Sequence, residues 1–107
     1  MASVKENLIS AKALIDTPEK WRKNAVHTEA SCCAIVATNR AVGADRGGSE
    51  AGLWDALYRA LPASWQIARS ATQYGWRVGD YNDDPETTHA DIMALFDRAI
   101  AAQDSSP

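Results

Sequence analysis

Cysteine is scarce in this chain, and its two copies, Cys32 and Cys33, are neighbours. A disulfide between adjacent cysteines closes a strained ring that cannot staple distant segments, so we expect both thiols to be reduced. This excludes the small secreted domains that depend on a disulfide framework, and it favours a cytoplasmic location.

Long apolar runs are also missing. The longest uninterrupted one is Cys32–Ala37, whereas a membrane-spanning helix needs about 20 apolar residues. The opening segment MASVKENLISAK has no apolar core, so we expect no signal peptide. The sequence therefore predicts a cytoplasmic protein that has no membrane partner.

Positive charge is in deficit, because 11 Lys and Arg residues face 14 Asp and Glu residues, a net charge of -3. Such a chain lacks the overall cationic field that attracts proteins to nucleic acid, so nucleic acid is not an expected partner. The motifs G-x-G-x-x-G, G-x-x-x-x-G-K and G-x-S-x-G are absent too. Nothing in the sequence therefore indicates nucleotide binding or serine hydrolysis.

What is present suffices for one folded unit. With 107 residues, 46% of them hydrophobic, the chain can bury roughly two-thirds of its unfolded surface without a disulfide or a metal. Apolar residues recur at helical spacing in several segments. We expect a mainly α, single-domain bundle of four to six helices over residues 1–107, with a frayed tail at 103–107.

Capping signals place most of the helices. Ser3 and Glu6 form a capping box for a first helix at about 4–15, and Thr88 with Asp91 forms another for the last helix. A short second helix follows Thr17 and carries Trp21. Ser31 is the expected cap of a third, central helix that ends at Gly43, and Ser49 that of a fourth helix ending before Pro62. We expect the third and last helices to be buried against each other.

The segment between the fourth and last helices has the least regular pattern. We predict a helix over about 64–73. The following YGWRVGDYN fits a short strand or an irregular arm equally well, and Pro85 prevents a helix from continuing through DDPE. We therefore expect an irregular, aromatic arm over 74–87, lying across one end of the bundle.

Three segments carry a resemblance when taken in order: LIDTPEKW, CCAIVATNRAVG and YNDDPETTHADIMALFDRAIA. Together they resemble an uncharacterised family of short bacterial and phage proteins, with a Trp-bearing early turn, a Cys-led helix and an Asn-Asp turn before the final helix. The resemblance spans most of the chain but not residues 62–78. It implies a fold and a genomic setting, and no established activity.

A catalytic hypothesis takes Cys33, or Cys32, as a nucleophile in the first turn of a helix, where the helix dipole lowers the pKa of a thiol. His89 would be the base, oriented by Asn82 or Asp83, as in a cysteine hydrolase or acyl transferase. The alternative is that Cys33 is a small core residue and that His89 makes local hydrogen bonds. We favour this alternative because no local nucleophile signature is present.

Metal binding has two weak patterns. The possible zinc ligands are His27, Cys32, Cys33 and His89. Their spacing argues against a zinc site, because the sequence has no C-x-x-C or H-x-x-x-H pair. Calcium could use an EF-hand-like spacing, formed by Asp80, Asn82, Asp84, Glu86, Thr88 and Asp91. However, Pro85 occupies the glycine position of that loop, and Asp91 is shorter than the usual Glu. We therefore expect a solvated acidic turn, and neither a metal nor another cofactor.

Four tryptophans in so short a chain are the most informative feature, and the least regular segment is rich in large rings and arginines. Such residues form either a binding hot spot or the cover of a small core. The candidate partner-binding residues are Trp65, Arg69, Tyr74, Trp76, Arg77 and Tyr81. Our leading hypothesis is a non-enzymatic module that binds another protein, an accessory or inhibitor protein of phage or prophage in the light of the resemblance. A homo-oligomer stays open, and the Cys33–His89 enzyme is the alternative.

Overall fold

The computed structural model describes residues 3–24, 28, 31–43 and 52–104 of the chain. These residues form five α-helices, which are α1 (Val4–Ala13), α2 (Ala34–Val42), α3 (Leu53–Ala60), α4 (Tyr74–Asp83) and α5 (His89–Gln103). Short 3₁₀ turns lie at Pro18–Lys20, Ala63–Trp65 and Ala71–Gln73. No β-strand occurs within these ranges. The predicted small, mainly α bundle of four to six helices is confirmed.

Both predicted capping boxes are present. The Ser3 hydroxyl accepts a hydrogen bond from the Glu6 amide (3.1 Å), and the Glu6 carboxylate accepts one from the Ser3 amide (3.1 Å). Thr88 and Asp91 make the same reciprocal pair at 3.1 and 2.9 Å. A cap of this kind contributes about 1 kcal/mol to stability. The two helices therefore begin where the sequence places them.

The start of α2 differs from the prediction, because Cys33 and not Ser31 is the N-cap. Cys32 pairs in a parallel bridge with Trp21, donating to the Lys20 carbonyl (2.9 Å) and accepting from the Arg22 amide (3.0 Å). This pairing keeps Ser31 and Cys32 outside the helix. The helix ends as predicted at Gly43, whose φ of 91° is a conformation that glycine adopts at little cost.

The predicted cap of the fourth helix, Ser49, lies outside the described residues. In the described part, helix α3 begins after Gly52, which has a φ of 83°. The predicted short second helix is a 3₁₀ turn at Pro18–Lys20, and Trp21 follows it directly in extended conformation. At the other end of the chain, Gln103 closes α5, and residues 105–107 of the predicted frayed tail lie outside the described part.

The predicted helix over 64–73 is wrong. Two 3₁₀ turns flank a non-helical stretch at 66–70, because side chains on either side of it accept hydrogen bonds from its backbone amides. The Ala68 amide donates to the Tyr58 hydroxyl (2.8 Å), and the Arg69 amide donates to the Gln73 side chain (2.9 Å). These bonds compete with a helical ladder.

The predicted irregular arm over 74–87 is wrong for Tyr74–Asp83, which forms the regular helix α4. Glycines at 75 and 79 lower its intrinsic helix propensity, but tertiary packing outweighs this. Val78 is fully buried, and Gly75 lies directly against the indole of Trp54, where a side chain would overlap the ring. Within the predicted arm, irregular backbone is confined to the turn that begins at residue 84.

The core lies between the five helices. Helix α1 packs against both α2 and α5, while α3 packs against α4 and α5. The third and last helices, which the sequence predicts to be buried against each other, instead pack closely against α1, and any direct contact between them is minor. The largest fully buried apolar side chains come from α1, the turn after it and helices α3 to α5: Leu8, Ile15, Leu53, Leu57, Val78, Ile92, Leu95 and Phe96. No helix in the described residues is both long and apolar enough to cross a membrane.

The two glycines of α4 predict opposite effects of the same substitution. Gly75→Ala places a methyl group inside the Trp54 ring and should lower the free energy of unfolding by about 1–3 kcal/mol. Gly79→Ala meets only the Ile35 side chain at 3.9 Å and should raise it by about 0.5–1 kcal/mol. Urea denaturation of both variants tests this. Equal stabilities would contradict the close approach of α4 to Trp54.

Candidate functional site

Helix α4 has two faces with different surroundings. One face carries Val78 and Tyr81, which are buried. The opposite face carries Trp76, Gly79 and Asp80, three positions at helical spacing, followed one turn later by Asp83. On that second face, 72% of the surface of Trp76 is exposed. The helix therefore displays an indole ring to solvent from a backbone that is fixed by packing on its other side.

An open groove of about 300 Å³ lies between this face of α4 and the start of α2. Its lining consists of Cys33, Ile35, Gly75, Trp76, Gly79, Asp80 and Asp83. Gly79 keeps the groove open, because its nearest neighbour across the helix pair is the Ile35 side chain and no side chain of its own fills the space. The result is a partly apolar groove with an exposed tryptophan among its walls.

Two carboxylates give the groove its charge. Asp80 accepts from the Arg77 guanidinium (3.2 Å) through Oδ2, and Asp83 accepts through Oδ1 from the Asn24 amide (2.7 Å) and the Asn82 side chain (2.9 Å). Within the described residues, no donor is bonded to the second oxygen of either carboxylate. The groove thus combines apolar surface with acceptors for a positively charged or hydrogen-bond-donating group.

A buried amide joins the walls of this groove. Asn82 is fully buried, and its Oδ1 accepts from the Trp21 indole (2.6 Å) and from the Ala34 amide at the start of α2 (3.0 Å). Its Nδ2 donates to the Arg22 carbonyl (3.0 Å) and to Asp83 (2.9 Å). Asn82 therefore ties the end of α4 to the start of α2 and to the extended segment at residues 21–22.

Two of the four candidate catalytic residues meet at the groove. Cys33 and Asp83 both line it, and the Cys33 sulfur accepts a hydrogen bond from the Val36 amide (3.5 Å) as the N-cap of α2. The His89 Nε2 is hydrogen-bonded to the Ile15 carbonyl (2.8 Å), and its ring packs near Trp21 with centroids 5.9 Å apart. No hydrogen bond joins Cys33 to His89 in the described residues. The side-chain amide of Asn82 bonds to neither of them, because its oxygen and nitrogen are used in the four contacts described for it.

The thiol of Cys32 is less accessible than that of Cys33. Cys32 is buried, and this burial raises the pKa of its thiol despite the opposing effect of the nearby Arg40 guanidinium. Cys33 is only partly buried. Since the thiolate is the reactive form of cysteine, Cys33 is the more suitable of the two for any reaction with a molecule from solution.

Most of the candidate partner-binding residues pack against the body of the protein. Tyr74 stacks on Tyr58 with ring centroids 4.2 Å apart, and Trp65 meets the buried Tyr81 edge-on at 5.3 Å. Arg77 lies over the Trp65 ring, 5.0 Å from its centroid. Of the six candidates, Trp76 and Arg69 are exposed. The aromatic segment therefore supports the helix from which Trp76 projects.

Three groove residues are not among the sequence-based candidates: Ile35, Gly75 and Gly79. Asp80 is among them only as a candidate calcium ligand. The spacing of Trp76, Gly79, Asp80 and Asp83 indicates one face of a helix when residues 74–83 are helical. Ile35 and Gly79 come together only through tertiary packing, for which the sequence carries no local signal.

The metal patterns do not come together as ligand sets in the described residues, where no group of three or more His, Cys, Asp or Glu side chains could hold an ion. Asp80 and Asn82 lie inside α4, so residues 80–91 do not form one continuous EF-hand loop. His27, which belongs to the considered zinc set, lies outside the described residues.

Comparison with known proteins identifies a family for this chain. A family model described as a family of unknown function, DUF6197, matches residues 1–102. The chain belongs to this family. No curated protein and no solved structure matches it. The resemblance to an uncharacterised family is thereby confirmed.

The buried amide predicts a large effect of a small substitution in this DUF6197 chain. Asn82→Ala leaves the Trp21 indole and the Ala34 amide without their acceptor, and should lower the free energy of unfolding by about 2–4 kcal/mol. Asn7→Ala, on α1, is the matched control and should not lower it, because alanine has the higher helix propensity and no hydrogen bond of the Asn7 side chain to the described residues is lost. Urea denaturation measures both. Similar stabilities of the two variants would contradict the structural role of Asn82.

Proposed function

We propose that this protein is a non-enzymatic interaction module that binds another protein through the groove beside Trp76. The observation that carries the proposal is the 72% exposure of Trp76 on a regular helix, next to partly apolar surface. Tryptophan is enriched among residues that dominate binding energy, because its large ring buries much area when a partner covers it. A solvated indole beside a groove is the arrangement expected of an anchor before binding.

The groove is preorganised. Asn82 links its two walls through hydrogen bonds of 2.6 to 3.0 Å, and Trp54 holds α4 from behind while donating to Thr38 of α2 (2.9 Å). A partner would therefore not have to order helix α4 in order to bind. Binding to a surface that is already ordered loses less conformational entropy, which favours affinity.

The remaining candidate residues take supporting roles in this proposal. Trp65, Tyr74 and Tyr81 hold α4 in place through ring contacts, and Arg77 bridges Trp65 and Asp80. The resemblance to short bacterial and phage proteins extends the proposal to an accessory or inhibitor protein of phage or prophage, acting in the cytoplasm. Such a role requires a surface for a partner and no chemistry.

Capture of binding partners tests the proposal. The immobilised full chain is incubated with lysate of the organism that encodes it, and retained proteins are identified by mass spectrometry. We expect Trp76→Ala to lose partners that the unmodified chain retains, and Ile67→Ala to keep them. Ile67 is the matched control, because it is 65% exposed and does not line the groove. Identical retention by the unmodified chain and Trp76→Ala would contradict the proposal.

A cysteine-dependent hydrolase or acyl transferase is the second candidate, favoured by the position of Cys33 on the groove. The interaction proposal predicts that iodoacetamide modifies Cys33 no faster than a free thiol, and Cys32 more slowly still, because burial raises the pKa of the Cys32 thiol. Peptide mapping of the folded protein across pH measures both rates. Rapid modification of Cys33, with a pH dependence that His89→Gln removes, would favour the enzyme.

A further inference from the structure

We infer that the occupant of the groove is a segment of another protein that carries an apolar side chain beside a lysine or arginine. This inference rests on the proposed function and names the chemistry of the partner. It follows from two properties of the groove, its shape and its charge, which are found side by side on α2 and α4.

The apolar part of the groove is small and open. Ile35, the bare backbone of Gly79 and the Trp76 ring contribute it, within a volume of about 300 Å³. Clefts of this size accept side chains or small molecules, and not the surface of a whole domain. An aliphatic or aromatic side chain of a partner would cover the exposed indole and remove both apolar surfaces from water.

The charged part of the groove favours a positively charged group of the partner. Asp80 and Asp83 are one helical turn apart, and the Asp80 side chain is 62% exposed. The neighbouring cation, Arg77, is shared, because it also lies over the Trp65 ring and donates to the Trp65 carbonyl (3.3 Å). Because Arg77 is shared with Trp65, and the nearby Lys23 ammonium donates to the Asp84 carbonyl (2.6 Å), the two carboxylates leave an acceptor surface that attracts lysine or arginine and repels an acidic segment.

A second copy of this chain is the competing occupant. Ile67 and Arg69 are exposed on the stretch before α4, so another copy could present an apolar side chain and a cation to the same groove. That contact would join two different surfaces head to tail, and such contacts extend into open assemblies unless the geometry closes a ring. We favour a different protein as the partner, because one groove occupied by one segment gives a defined complex.

A displayed library of random twelve-residue peptides, selected against the full chain, tests the inference. We expect enriched sequences to carry Lys or Arg within two positions of a large apolar residue. A synthetic peptide of an enriched sequence should bind Trp76→Ala about tenfold more weakly or worse, and Asp80→Asn about three- to tenfold more weakly. Asp55→Asn is the matched control, because Asp55 is an exposed partner of Arg59 within helix α3 and lies outside the groove. It should bind like the unmodified chain.

The outcomes separate the inference from the proposed function. Enriched peptides that need Trp76 but lack basic residues, or that bind Asp80→Asn normally, overturn the inference and leave the interaction proposal standing. Peptides that bind Trp76→Ala as well as the unmodified chain overturn both. The inference is also wrong if the unmodified chain enriches only those peptides that the Trp76→Ala variant enriches. Light scattering that shows an assembly of the chain, dissolved by Arg69→Glu, overturns it in favour of a second copy.

Discussion

The side-chain amide of Asn82 is the interaction on which the site depends. It is fully buried and bonds to the Trp21 indole, the Ala34 amide, the Arg22 carbonyl and the Asp83 carboxylate. A buried amide is stable only when its donors and acceptor are all paired, so its partners must hold fixed positions. The extended segment, the start of α2 and the end of α4 are thereby brought to one point, and the groove lies between the two helices.

Helix α4 exists because its surroundings favour it. Two glycines and several aromatic residues give it weak intrinsic propensity, yet Val78 is buried and Trp54 lies directly against Gly75. Gly75 weakens the isolated helix but is required in the folded protein, since it admits the indole, whereas Gly79 weakens the helix and leaves the groove open. Local propensity and tertiary packing thus act in opposite directions, and packing is the larger effect.

Structural features that depend on neighbouring residues are predictable from the sequence, and features that depend on long-range packing are not. The capping boxes at Ser3 and Thr88 and the glycine stop at Gly43 are present as expected, because each depends on a few neighbouring residues. Helix α4 was not predictable, because the packing that stabilises it comes from Trp54, about twenty positions earlier in the chain. Most of the groove is not predictable for the same reason. Trp76 is evident from the sequence as a binding candidate, but its proximity to Ile35 and Cys33 arises only when α2 and α4 pack together.

The site depends on a contrast between hydrogen-bonded and exposed indoles held by one framework. Hydrogen exchange of the four tryptophan indole N–H groups, followed by NMR on the full chain, measures that contrast directly. We expect slow exchange at Trp21 and Trp54, whose indoles donate to Asn82 and Thr38, and fast exchange at Trp76. A Trp76 indole protected as strongly as that of Trp21 in the isolated protein would contradict the account.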